Sequence, residues 1–411
     1  MSNQTLTSSI ITKEALMVLE NSLTLAKGVN RDYSAKFGTE NAKIGATYNL
    51  RKPPRYLGRE GEALQVEGST ENFVGITINR LSGTDITFST TDLALNIEEF
   101  SERFIVPAMA TVANKIDAAV AALALDINRV VNAGANAASY GTSGLLNGGT
   151  ATLAQVQSQI LTSGAILTES GVPTAQRSMI IDPMSQVSII SPMTALFNPA
   201  QKISKIYEEA ALATNTLGYD WAVDANILQF NPGTYTVTTA TLSTAGSTNI
   251  SLITGGSGTI PRGTVIGLPG VFAINPQSRV STGRLMQFVV TADTLVSGAT
   301  NLPIYPAYIP SGQFATCVGS ATTQTPVFYT GASGAAAQSQ NLAFNRNAFA
   351  LATVDQELPQ GVHFAAREVY KNISLRIVRQ YDINSNQIPC RVECLYGVKT
   401  IYPDLAVRVC G

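Results

Sequence analysis

Apolar and polar residues alternate with a period of two near the C-terminus of the chain. Ile373, Leu375 and Ile377 alternate with Ser374 and Arg376, and Cys390, Val392, Cys394 and Tyr396 alternate with Arg391, Glu393 and Leu395. A period of two places each set on one face of a strand. Asp382, Asn384, Ser385 and Asn386 supply a turn between the two strands, and Pro389 suits the start of the second. Leu405, Val407 and Val409 alternate again beyond Pro403. The segment thus predicts a three-stranded meander with one buried face.

A period of three to four governs other stretches. Met109, Val112, Ile116, Val120, Leu123, Ile127 and Val130 form one stripe along a long helix, with Lys115, Asp117, Asp126 and Arg129 mostly off it. Asn96 with Glu99 resembles a capping box at its start, and Pro107 predicts a bend near Phe104. Residues 12–30 give an earlier helix, with Leu16, Leu19, Leu23 and Leu25 largely on one side and Gly28 closing it. Residues 153–167 and 184–190 read as helices, "RSMIIDP" as a buried strand, and "KIYEEAALATNT" as a further helical piece.

The character of the chain shifts near Asn226. From there to Asn345 the only charged residues are Arg262, Arg279, Arg284 and Asp293, and short β runs rich in Thr, Ser, Gly and Val are separated by turn residues. That pattern predicts a small barrel or sandwich inserted into an α+β host. Six segments result: an N-terminal arm (1–43), an extended hairpin with its leading strands (44–96), a spine helix (97–132), an α+β lobe (133–226), the inserted β domain (227–340) and a returning β segment (341–411).

Composition narrows the function. With 45% hydrophobic residues the chain can bury sizeable cores. A formal charge of −1 and 13% charged residues argue against a protein that works by neutralising many phosphates. The longest uninterrupted apolar run, "AAVAALAL", is shorter than the roughly 20 residues that span a bilayer, and the N-terminus lacks the pattern of a signal peptide. A soluble product, made and kept in the cytosol, is expected.

Charge is concentrated in "NLRKPPRYLGREGEALQVEGSTE". Arg51, Lys52, Arg55 and Arg59 precede Glu60, Glu62, Glu67 and Glu71. One reading is a solvated loop. The other is a projecting hairpin, one limb basic and one acidic, that pairs with neighbouring subunits.

No catalytic pattern emerges. "GGSG" at 255–258 lacks the Lys and Ser/Thr of a phosphate-binding loop, and no nucleophile motif points to His363, the single histidine. Cys390 and Cys394 lie about 13 Å apart along one strand, at roughly 3.3 Å per residue, too far to bridge. With Cys317 and Cys410 they read as small buried hydrophobes. Neither a metal nor a cofactor is expected.

The order of parts resembles the major capsid proteins of tailed double-stranded-DNA phages, the Hong Kong 97-type α+β fold, in the short-tailed-phage coat branch that carries an extra β domain. The verbal match is strongest in "NLAFNRNAFALAT" (341–353) and in 378–409, through Tyr381, Asp382, Pro389, Arg391, Leu395 to Gly397, Thr400 and Pro403. The resemblance implies self-assembly as pentamers and hexamers into an icosahedral shell around the genome. It also implies a procapsid built with a scaffolding protein and a portal in the host cytoplasm, later expanded. The hairpin would lie over an adjacent subunit, DNA would be contacted non-specifically, and no membrane would be involved. With no lysine and asparagine pair assignable to cross-linking, a non-covalent shell is expected. The alternatives are another phage or surface-layer structural protein, or a cytosolic enzyme.

Overall fold

A computed structural model of the chain describes residues 8–34, 47–59, 61–62, 64, 66–69, 71–89, 105–131, 153–193, 216–331, 333–383 and 387–410. Contacts divide it into two units. One comprises residues 1–51, 73–121 and 349–401; the other comprises 52–72, 122–348 and 402–411.

In the first unit the arm helix Ser8–Ser22 buries Ala15, Leu16 and Leu19. The sequence predicts that it continues to Gly28, but the chain breaks at Leu23 and restarts as the single turn Leu25–Gly28. Asp117 causes the difference. Its carboxylate accepts the amides of Thr24 at 2.9 Å and Ala26 at 2.7 Å, so a cap for the short turn comes from another helix. Periodicity places Asp117 off the apolar stripe, yet it is 2% exposed. A carboxylate can be buried where charge-assisted hydrogen bonds replace its water. Beside it the Arg31 guanidinium donates to Glu20 at 2.6 Å and to the Ala26 carbonyl.

The spine helix runs from Val106 to Ala121, with Met109, Val112, Ile116 and Val120 all buried. Pro107 sits in its first turn, where a missing N–H costs nothing. Asn96, Glu99 and Phe104 lie outside the described residues, and so does the bend expected there. The winding tightens to a 3-10 helix at Ala122–Asp126, and the chain is extended by Val130–Val131, earlier than the helical pattern implies. Val106–Asp126 is apolar and long enough to cross a membrane by composition. Its stripe is buried in protein, the state of a core helix.

The sheet of this unit centres on Gln387–Thr400. Ile373–Arg379 and Phe349–Val354 pair with it along one edge and Arg80–Ser89 along the other, all antiparallel, and Phe364–Tyr370 extends the sheet beyond Ile373–Arg379. Residues 392–397 are buried without alternation, as in a central strand covered on both faces. Gly397 is required there, because a Cβ would stand 2.3 Å from the Thr77 carbonyl oxygen. The expected meander is corrected here. Its first two strands pair as predicted, but the third, Ala406–Cys410, belongs to a different sheet in the second unit.

That second sheet runs in the order Val130–Val131, Ala406–Cys410, Gln338–Asn345, Arg177–Ile181, Asp220–Val223. The helices Leu153–Glu169 and Pro183–Met193 contribute Val156, Ile160 and Ile189 to a core with Met179, Ile181, Ala343, Val407 and Val409. Residues of opposite parity, Val130 and Cys410, pack instead against Val265, Val289 and Tyr329. Residues 201–215, with their expected helix, lie outside the described ones.

Residues 237–328 form an eight-stranded sheet whose path begins at Cys317–Val318 and ends at Ala321–Gln324. Only two residues separate those ends in sequence, so the sheet curls back on itself. It closes around its own core of Leu252, Ile266, Leu268, Phe288, Val290, Leu302 and Tyr308. The fold is mixed α+β, as the sequence implies.

Two predictions follow from these contacts. Asp117→Ala strips a buried amide and a half-buried one of their acceptor and should destabilise the first unit by about 3 kcal/mol, read as a lower urea midpoint; an unchanged midpoint would show that the cap is dispensable. The fragment Ile227–Gln340 holds every member of its barrel-like core, so alone it should give a β-type circular dichroism spectrum and a cooperative thermal transition. A spectrum without β structure refutes that.

Candidate assembly hairpin

The charged segment folds as a hairpin. Thr47–Lys52 pairs with Asn72–Thr77, and the hydroxyls of Thr47 and Thr77 meet at 2.9 Å across the pair. The loop between them is largely exposed. Its two limbs are tied together by Glu67, whose carboxylate accepts the amides of Leu57 at 2.6 Å and Gly58 at 2.8 Å, and by Tyr56, whose hydroxyl donates to Ser69.

The basic and acidic residues expected to pair with neighbours therefore behave unequally. Glu67 is used within its own loop. Arg55 stands 3.8 Å from Asp404, which also accepts from Arg129 at 3.3 Å, and Arg59 donates to the Gly61 carbonyl. Lys52 packs 5.0 Å from the Tyr402 ring, and burial pushes its ammonium below the usual lysine range against the pull of Asp404. Arg51, Glu62 and Glu71 are exposed, and Glu60 lies outside the described residues. Charge is thus only part of what the loop presents. Leu64 and Val66 are 82% and 86% exposed, and Tyr56 and Leu57 are more than half exposed.

Two side chains that sequence reasoning missed hold this loop. Gln313 donates to the carbonyls of Arg55 and Gly68, and Arg279 donates to that of Tyr56 at 3.1 Å. Their separation from the loop by more than 200 residues leaves no local signal. The only hint is the "NPQSR" turn that carries Arg279.

Among the described residues no group of three or more His, Cys, Asp or Glu could hold a metal. His363 is exposed, and all four cysteines are free. Burial pushes the Cys394 thiol up to about 12 and those of Cys390 and Cys410 up to about 11, away from the thiolate that nucleophilic chemistry needs.

The described residues thus comprise a spine helix, a hairpin and three larger sheets, with no metal-binding cluster among them. The profile of the family described as P22 coat protein, gene protein 5, matches residues 1–411, and the chain belongs to that family. It is therefore a phage coat protein, a self-assembling constituent of the virion capsid and not an enzyme. No curated protein matches it. Among solved structures it is similar to one from Mycobacterium phage Che8, with 11% identity, 94% of this chain and 90% of that one covered and a TM-score of 0.48. It is also similar to the capsid of cyanophage P-SCSP1u (11% identity, 90% and 83% covered, TM-score 0.44) and that of Ralstonia phage GP4 (9% identity, 90% and 83% covered, TM-score 0.42).

The thiols provide a direct check on this packing. At pH 8 a thiol with a pKa of about 11 is ionised to roughly one part in a thousand. Cys390, Cys394 and Cys410 should thus resist Ellman's reagent in the native subunit and react fully in urea. Rapid native reaction of Cys394 would show that its strand is not buried.

Proposed function

We propose that the chain forms its shell as a scaffold-assisted procapsid that matures by expansion without covalent cross-links. The hairpin supplies a contact to the adjacent subunit. The observation that carries this reading is the loop itself: an internally tied loop that leaves Leu64 and Val66 in solvent suits a partner more than it suits a monomer.

In this reading residues 1–43 are the arm, 44–96 the hairpin and its leading strands, 97–132 the spine, 133–226 the axial lobe, 227–340 the insertion and 341–411 the returning segment. Assembly proceeds in the host cytoplasm through pentamers and hexamers, with a scaffolding protein and a portal. The near-neutral charge suits a wall that encloses DNA without gripping it.

Reversing Arg55 and Arg59 to Glu should leave folded, soluble subunits that no longer form shells when expressed with the neighbouring phage genes. Each exposed pair contributes only about 0–1 kcal/mol, but the contact repeats over every subunit. Particles with parental sedimentation and a normal outline in negative stain would refute a role for the basic limb.

A further inference from the structure

The inserted sheet reaches the hairpin loop through two side chains, and their donors end on main-chain carbonyls. Gln313 bridges both limbs by donating to Arg55 on one and Gly68 on the other. Arg279 adds the carbonyl of Tyr56 and ties back to Gln313 by donating to its carbonyl at 3.1 Å. Both residues are half-buried.

The turn that presents Arg279 is itself fixed. The Asn275 side chain accepts the amides of Gln277 and Ser278, the Arg279 amide donates to the Asn275 carbonyl at 2.8 Å, and the Asn275 amide group donates to the Glu169 carbonyl at 2.8 Å. Arg279 adopts φ +57, a left-handed conformation uncommon for a residue with a side chain. Such a backbone persists only where its surroundings hold it, and here it aims the guanidinium at the loop.

We infer that Arg279 and Gln313 form a latch that orders the hairpin loop in the free subunit and so presents Leu64 and Val66 to a second copy of the chain. The inference rests on the reading of the hairpin as an assembly contact. The latch grips the loop by its backbone and leaves its apolar side chains free. Its effect is preorganisation: a loop ordered beforehand loses less conformational entropy when the second copy docks.

Hydrogen exchange of the full-length soluble subunit tests the latch before any shell forms. Peptides covering residues 53–72 should be protected in the parent. Arg279→Asn keeps a residue tolerant of the left-handed backbone but removes its reach; combined with Gln313→Ala it should speed exchange of those peptides about tenfold, and Gln313→Ala alone roughly threefold. Ile253→Thr, on an exposed strand position of the same sheet, should change nothing. Equal exchange in the parent and the double variant overturns the latch, as does an unprotected parent loop. A separate variant, Leu64→Asp with Val66→Asp, should keep the protection and lose the shells. If it forms normal shells, the apolar tip is not the assembly contact, and the exchange result still decides the latch.

Discussion

The strand Gln338–Asn345 sets the constraint on which the larger unit depends. All eight of its residues are buried, and Gln338, Ser339, Gln340, Asn341 and Asn345 are polar. A buried polar group without a partner costs about 1–3 kcal/mol, and the surroundings answer most of these side chains, the Gln338 Oε1 having no hydrogen-bond partner among the described residues. Asn341 accepts the Asp182 amide at 2.8 Å and donates to Ser185, which fixes the entry of the helix Pro183–Met193. Asn345 donates to the Ala175 carbonyl. Gln340 accepts from Arg408 and Cys410 on the terminal strand. Slipping the strand by one residue would exchange Leu342 and Phe344 for their neighbours and leave these groups unanswered, so register is fixed by polarity as well as by apolar packing.

The same constraint ties the eight-stranded sheet to the rest of its unit. Arg408 is fully buried and, among the described residues, bonded to no carboxylate; it donates to the Gly263 carbonyl at 2.8 Å, and burial lowers its guanidinium to about 10. Gln287 behaves like an extra length of strand, exchanging hydrogen bonds with both the amide and the carbonyl of Val130. Arg262 with Asp126 and Arg284 with Glu169 complete the attachment at the rim. The eight-stranded sheet closes its own core, while its seat is polar and reaches main-chain groups. Three of the four charged residues between Asn226 and Asn345, the three arginines, bond partners outside the eight-stranded sheet, at Asp126, at Glu169 and in the hairpin loop.

How much of this was legible depended on whether the signal was local. The spine stripe could be read because Met109, Val112, Ile116 and Val120 repeat within one helix and all face protein. Asp117 was misread because its partners, the amides of Thr24 and Ala26, lie about 90 residues away and no period reports them. Ala406–Cys410 was assigned to the wrong sheet for a related reason. Alternation tells which face of a strand is buried but not which strand lies beside it. "NLAFNRNAFALAT" and Gly397 were recognisable because their chemistry is forced: a polar strand in a core and a glycine under a carbonyl tolerate few replacements. Of the hairpin, the charges were visible and the hydrogen bonds from Arg279 and Gln313 were not.

Magnitudes then decide what the hairpin would contribute to the assembly contact proposed for it. An exposed ion pair is worth about 0–1 kcal/mol and is screened by salt. Glu67 and Arg55, moreover, already have partners within the subunit. Burying an exposed Leu or Val side chain yields about 1.5–3 kcal/mol with little dependence on ionic strength. In the proposed contact Leu64 and Val66 together would therefore outweigh any single charged pair in the loop, leaving to the charges orientation and discrimination between partners. A contact of this size is weak when made once. Weakness is useful to a shell, since a subunit that docks wrongly can leave before its neighbours fix it, and stability accumulates only when many such contacts close together.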